Sequence, residues 1–119
     1  MDFEAALRTL LARSPGVRGC ALLDRDGILL ASAVTTAEVS GEDLGAGCGL
    51  LLREIATVTP RLGGGALRAT ILDAERGSLV LIPLQSNCGL VLLLEPDGNL
   101  GQALFEARKV GFTLNTALG

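Results

Sequence analysis

The sequence predicts an α+β domain of the α/β-sandwich type: a five-stranded, mostly antiparallel sheet flanked by three helices, in the order α-β-β-α-β-β-β-α, as one domain over residues 1–119. Three observations predict it. Helical periodicity appears at the start, the middle and the end of the chain. Five short apolar runs lie between, separated by clusters of turn-forming residues. Several of those runs, such as residues 88–94, are apolar throughout rather than alternating, which is the pattern of strands covered on both faces. A chain of this length buries roughly two-thirds of its unfolded surface, enough for a real core.

Residues 2–13 read as the first helix, with Phe3, Leu7, Leu10 and Leu11 on one face, Asp2 as its cap and Pro15-Gly16 as its stop. Residues 17–24 and 28–34 read as two strands joined by the turn Asp24-Arg25-Asp26-Gly27, in which Gly27 supplies a positive φ. A polar connector, residues 35–40, leads to Ser40, which is placed to cap the second helix. Glu42 and Asp43 fall in that helix's first turn, where its dipole favours negative charge. The helix is expected to run to about Thr59 and to stop at Pro60 and Gly63-Gly64-Gly65. Residues 67–73, 78–84 and 88–94 read as three more strands, with turns at 74–77 and 85–87. Pro96-Asp97-Gly98-Asn99 opens the last helix, residues 100–117, with a core stripe of Leu100, Leu104, Ala107, Gly111, Leu114 and Leu118. Phe105 and Phe112 lie off that stripe. They are expected to pack against Phe3 and the first helix, or else to form an exposed docking patch.

At about 100° per residue, Leu44, Cys48, Leu51, Ile55, Val58 and Leu62 share one face of the middle helix and form its expected core stripe. Gly45, Gly49, Leu52 and Ala56 form a second stripe beside it. Glycines inside a helix cost about 1 kcal/mol each relative to Ala, so Gly45, Gly47 and Gly49 call for compensation. Close approach of a second helix supplies it, because small residues at i and i+4 admit a neighbour. The alternatives are a tight fit on the helix's own sheet, or a helix that begins only after Gly49. The third face carries Ala46, Leu50, Arg53, Glu54 and Thr57. It reads as a partner contact, because Arg and apolar area concentrate at interfaces, or as a solvated face with one Leu.

Composition removes much chemistry. The chain has no His, Trp or Tyr, so it can hold no Ser-His-Asp triad, Cys-His pair or His-ligated metal. Its net charge is −3, with no basic stripe and few aromatics, which gives nucleic-acid binding little support. Cys20, Cys48 and Cys88 sit in apolar runs and read as reduced, buried thiols, and residues 1–13 carry charges throughout, unlike a signal peptide. A cytoplasmic protein with no membrane insertion, no cofactor and no metal is therefore expected.

Three catalytic or ligand readings fail. Leu22-Leu23-Asp24-Arg25-Asp26-Gly27 resembles the start of haloacid-dehalogenase-type phosphatases, with a nucleophilic first Asp and Mg²⁺. The only Lys, Lys109, lies in the last helix with no acidic pair after it, and in a hairpin the two Asp are turn formers. Gly45-Ala46-Gly47-Cys48-Gly49 and Gly63-Gly64-Gly65 lack the Gly-Lys-Ser/Thr ending of a phosphate loop, so the chain is not itself expected to be a GTPase. A calcium loop begun at Asp24 would place Thr35 where a Glu belongs.

Three stretches carry a resemblance to the Roadblock/dynein light chain family, and within it to the bacterial branch. They are Gly16-Val17-Arg18-Gly19-Cys20-Ala21-Leu22-Leu23-Asp24-Arg25-Asp26-Gly27-Ile28-Leu29-Leu30-Ala31-Ser32, the middle helix rich in small residues, and Asn99-Leu100-Gly101 followed by Arg108. The resemblance covers nearly the whole chain. It implies a dimer whose edge strands join two sheets into one, with the middle helices side by side. It also implies a non-catalytic homodimeric adaptor that binds a Ras-like small GTPase, as in polarity or motility control, and in some members stimulates GTP hydrolysis. The alternative it leaves is a structural scaffold that pairs with another Roadblock-type protein. On this view Gly45, Gly49, Leu52 and Ala56 form the helical part of the dimer contact. The strand Leu67, Arg68, Ala69, Thr70, Ile71 and Leu72 forms the edge part, being half polar and without a guarding Pro or Lys. A short solvated edge is the alternative. Arg53 or Arg61 could serve as an arginine finger, although a platform can also bias a partner's switch loops.

Overall fold

The computed structural model describes residues 1–36 and 38–119. Of the expected connector, Ala37 lies outside the described residues. The first helix, α1, spans Phe3–Arg13, and the Asp2 carboxylate accepts the Ala5 N–H at 3.0 Å. Strands β1 (Val17–Leu23) and β2 (Leu29–Val34) form the expected hairpin. Asp24 builds its turn: Oδ1 accepts the N–H of Asp26 at 2.8 Å and of Ile28 at 2.9 Å, and Gly27 sits at φ 81°.

The middle helix is two helices, α2 (Gly41–Gly45) and α3 (Cys48–Arg61). Ser40 Oγ caps α2 as expected, accepting the Asp43 N–H at 3.3 Å. Ala46 then turns extended and Gly47 left-handed, at φ 75°. The break falls inside the glycine cluster, where helix is least favoured and a positive φ is cheapest. Pro60 does not end α3, which runs one residue past it to Arg61 although the proline ring gives no N–H and crowds the carbonyl four residues back. The stop is Gly63, at φ 78°: Gly64 N–H donates to Thr59 O and Gly63 N–H to Pro60 O, the paired bonds of a Schellman cap.

Strand β3 spans Thr70–Ala74, so Leu67, Arg68 and Ala69 are not part of it. Its partner explains the late start. With β4 (Gly77–Pro83) in the register Thr70↔Leu81, Arg68 would fall opposite Pro83, which has no N–H to give. A short 3-10 turn, Gln85–Asn87, leads into β5 (Gly89–Leu94), and α4 (Leu100–Leu118) follows, capped by Asn99. The sheet order is β2-β1-β5-β4-β3, antiparallel at every pairing.

Helices cover both faces, as the continuously apolar strands imply. Leu7 and Leu10 of α1 and Ala103, Ala107 and Leu114 of α4 pack on Cys20, Leu22, Val80, Leu90 and Leu92. On the other face Leu44, Cys48 and Leu52 pack on Ala21, Leu23, Leu81 and Val91. Neighbouring residues of one strand thus enter different cores, which removes the alternation of a one-sided sheet. Phe105 and Phe112 do not pack on α1. Both are largely exposed, since they point off the far side of α4, whereas Phe3 joins the core beside α1.

Candidate interaction surface

Leu44 and Cys48 of the expected core stripe are buried, but the buried face extends from them toward Gly45, Gly49 and Leu52 and not toward Leu51 and Val58. Gly45 and Gly49 are buried, and so is Leu52. A Cβ on Gly45 would lie 2.8 Å from Leu23 Cδ2, and one on Gly49 would lie 2.7 Å from the Gly27 Cα. These residues seat the helix on its own hairpin and core, with Ala56 half-buried beside them. The stripe expected to meet a second helix therefore meets its own sheet. Conversely, Leu51, Val58 and Leu62 of the expected core stripe are exposed, Leu62 at 79%, with Ile55 half-buried between them. Positions 51, 55, 58 and 62 recur at spacings of four, three and four, the seam along which two helices pack.

Of the sheet's two edge strands, β2 and β3, the β3 edge lies in the same half of the molecule. Strand β3 ends the sheet and has no strand on its outer side among the described residues. Leu84 donates its N–H to Cys88 on β5, so the alternate residues of β4, Leu81 and Leu79, turn their backbone groups toward β3. Thr70 and Leu72, opposite them, are thereby used inward. The N–H groups of Ile71 and Asp73 face outward. Ile71 and Leu72 are also exposed as side chains, and of the twelve large apolar residues exposed among the described residues five lie on the outward seam of α3, its C-cap and β3: Leu51, Val58, Leu62, Ile71 and Leu72. Such concentration marks an interaction surface rather than scattered surface leucines.

The third face of α3 assembles around the β1–β2 turn. Ala46 and Leu50 line one depression with Asp26, Gly27 and Ile28. Arg53 donates from Nη1 to the Arg25 carbonyl at 3.2 Å, so it fastens α3 to the hairpin while staying exposed. Glu54 and Thr57 lie one turn on, both exposed, with the Thr57 hydroxyl bonded to Glu54 O. Sequence reasoning missed Ile28, 61% exposed, which completes this patch beside Leu50. Its position in an apolar strand masked it; only the turn geometry lifts it out of the core.

All three cysteines are buried and free. Burial pushes the Cys20 thiol up to about 12, and raises Cys48 and, with help from the Asp24 charge, Cys88. None is poised as a thiolate nucleophile. Because Cys20 is neutral in the fold but ionises near 9 when exposed, its contribution to stability is complete below pH 9 and is lost as pH rises toward 12. Cys48 and Cys88, raised in the same direction, add to the effect, so the urea midpoint is expected to fall between pH 8.5 and pH 11. A Cys20→Ala variant should show a shallower fall; equal slopes would refute the assignment. Among the described residues no cluster of three or more His, Cys, Asp or Glu is placed to hold a metal. Asp24, the nucleophile of the phosphatase reading, is engaged by the turn.

The model of the Roadblock/LC7 domain matches residues 5–94. The chain belongs to the Roadblock/LC7 family. Solved structures agree on the fold. A Roadblock/LC7 domain from Streptomyces avermitilis superposes with a TM-score of 0.87 at 18% identity, covering 99% of this chain and 98% of that one. Myxococcus xanthus MglB gives 0.84 at 17% identity, covering 97% and 86%, and M. xanthus MglC gives 0.70 at 22%, covering 99% and 100%. No curated protein matches in sequence. In this Roadblock/LC7 domain the outward face of α3 and the β3 edge are among the apolar features that its own two cores leave uncovered. No described helix is long and apolar enough to cross a membrane.

Proposed function

We propose that this Roadblock/LC7 domain is a non-catalytic, cytoplasmic homodimeric adaptor that docks and regulates a Ras-like small GTPase. The observation that carries the reading is the exposed Leu51–Ile55–Val58–Leu62 seam lying next to the open edge of β3. Pairing β3 with its mate about a two-fold axis satisfies the outward N–H groups of Ile71 and Asp73 and extends the sheet to ten strands across two copies of a five-stranded one. The same pairing brings the two α3 helices together on one face of that sheet. The helix part of the contact is thus Leu51, Val58 and Leu62 instead of Gly45, Gly49 and Leu52, and the edge part centres on Thr70, Ile71 and Leu72. The Thr70 hydroxyl, buried without a hydrogen-bond partner among the described residues, lies at this edge.

The GTPase reading is supported by family membership and by the likeness to MglB, and the patch of Ile28, Ala46, Leu50 and Arg53 is the surface proposed for it. A regulator of this kind works by binding one switch-loop conformation better than another. The test is GTP hydrolysis by a Ras-like GTPase from the same genome, with and without the protein. Binding together with a changed rate is expected, and Leu50→Asp should remove both while leaving the dimer intact. No binding and no change in rate would leave the scaffold reading, in which the domain pairs with another Roadblock-type protein.

A further inference from the structure

On the α4 side the sheet carries a second apolar surface, which borders the proposed dimer edge at Ile71 and the end of α3 at Thr59 and Gly64 and otherwise lies outside the dimer and GTPase readings. Helix α4 stops short of β3, and the gap is a groove of about 690 Å³ between Leu104 and Arg108 on one side and the segment Leu67-Arg68-Ala69 with Ile71 on the other. Leu104 and Arg108 also line a second hollow with Phe105, Lys109 and Phe112, so the two adjoin at these side chains and together make a trough along α4. Phe105 is 62% and Phe112 77% exposed. Two phenylalanines one heptad apart on a helix are costly to leave in water and are the natural anchors for a second helix.

Charge says what that helix is. The trough is lined by Arg68, Arg108 and Lys109, and neither hollow is lined by an Asp or Glu. Lys109 sits 5.3 Å from the Phe105 ring centroid and 3.6 Å from Glu106, whose carboxylate is mostly buried. Arg68 and Arg108 are in none of the ion pairs among the described residues. A cationic, aromatic trough on a chain of net charge −3 is complementary to an acidic ligand and not to a second basic surface.

We propose that this trough binds an acidic amphipathic helix of a partner protein, its apolar residues on Leu104, Phe105 and Phe112 and its carboxylates on Arg68 and Arg108. A membrane fits less well, because anionic lipid recognition draws on clusters of about four to eight basic residues and this face has three. The surface lies largely on α4, beyond the residues 5–94 that the family model matches.

The test is fluorescence anisotropy of the full chain with a labelled helical peptide of Leu and Glu patterned to one apolar face, against the same peptide with Lys for Glu. The acidic peptide is expected to bind, with affinity falling on going from about 50 to about 500 mM salt, and the basic one not to bind. Arg108→Glu should weaken the acidic peptide at least about tenfold and allow the basic one. Phe105→Ser with Phe112→Ser should abolish binding while the thermal midpoint stays near wild type, since both rings are exposed. Equal affinity for both peptides, no binding up to about 1 mM, or an unchanged affinity in the phenylalanine variant would overturn the proposal. So would stronger, Phe105-dependent binding to phosphatidylserine vesicles than to the peptide, or loss of self-association in the phenylalanine variant.

Discussion

Val58→Glu is expected to convert the protein from dimer to monomer at micromolar concentration without unfolding it. Val58 is about half exposed on the outward seam of α3, so a carboxylate there costs the isolated chain little. In a two-fold dimer the same change places two carboxylates near each other in an apolar contact, where each loses its water and repels the other. A loss of about 2–4 kcal/mol, or roughly 30- to 700-fold in Kd, is expected from the behaviour of central interface positions. Ile71→Pro tests the other half of the contact by a different mechanism. It deletes an N–H that faces away from β4, so the internal ladder keeps its bonds while edge pairing loses a donor. Light scattering across a dilution series, with circular dichroism as the control for folding, reads both. A dimer that survives the two changes together would move self-association to some other surface.

Gly49→Leu is expected to do the reverse and unfold the chain or weaken it severely. A Cβ at position 49 meets backbone, 2.7 Å from Gly27 Cα and 3.3 Å from Gly27 N, in a turn held by Asp24. Neither side can yield as the tip of a flexible side chain would. Relief requires α3 to lift off the hairpin, which pulls Leu52 and Cys48 from their core and breaks the Arg53–Arg25 bond. Overpacking alone costs about 1–3 kcal/mol, and lost core burial adds to it. Against a total stability of about 5–15 kcal/mol this is a large fraction. The control is Gly47→Ala, where a Cβ meets nothing within 4 Å and only the left-handed φ of 75° is penalised. A Gly49→Leu protein that keeps its melting temperature but becomes monomeric would restore the helix–helix role for the glycines.

These two variants also show where sequence pattern stops being informative. A glycine every second residue announces that something approaches closely, but not what. In a one-dimensional reading, a neighbouring helix and the chain's own Gly27 satisfy Gly49 equally well. The buried face of the helix was misplaced for a related reason. Leu51 and Leu52 both border the arc of Leu44 and Cys48, and the helical period does not say to which side that arc extends. It extends through Gly45, Gly49 and Leu52, so Leu52 turns inward and Leu51, Val58 and Leu62 outward. The late start of β3 is equally non-local, because it depends on Pro83 two strand positions beyond the last pair.

By itself the sequence determined the element order, the hairpin turn at Asp24–Gly27, the caps at Asp2 and Ser40, the opening of the last helix at Pro96–Asn99, the double-faced sheet and the family. All of these depend on neighbours in the chain, or on an apolar period that survives averaging over a segment. Only the tertiary structure decided which face of α3 is buried, where the edge strand β3 begins and which phenylalanines remain in water. Those are contests between surfaces for the same sheet. Their outcome turns on backbone contacts of a few ångströms, such as Gly49 against Gly27, between residues distant in the chain.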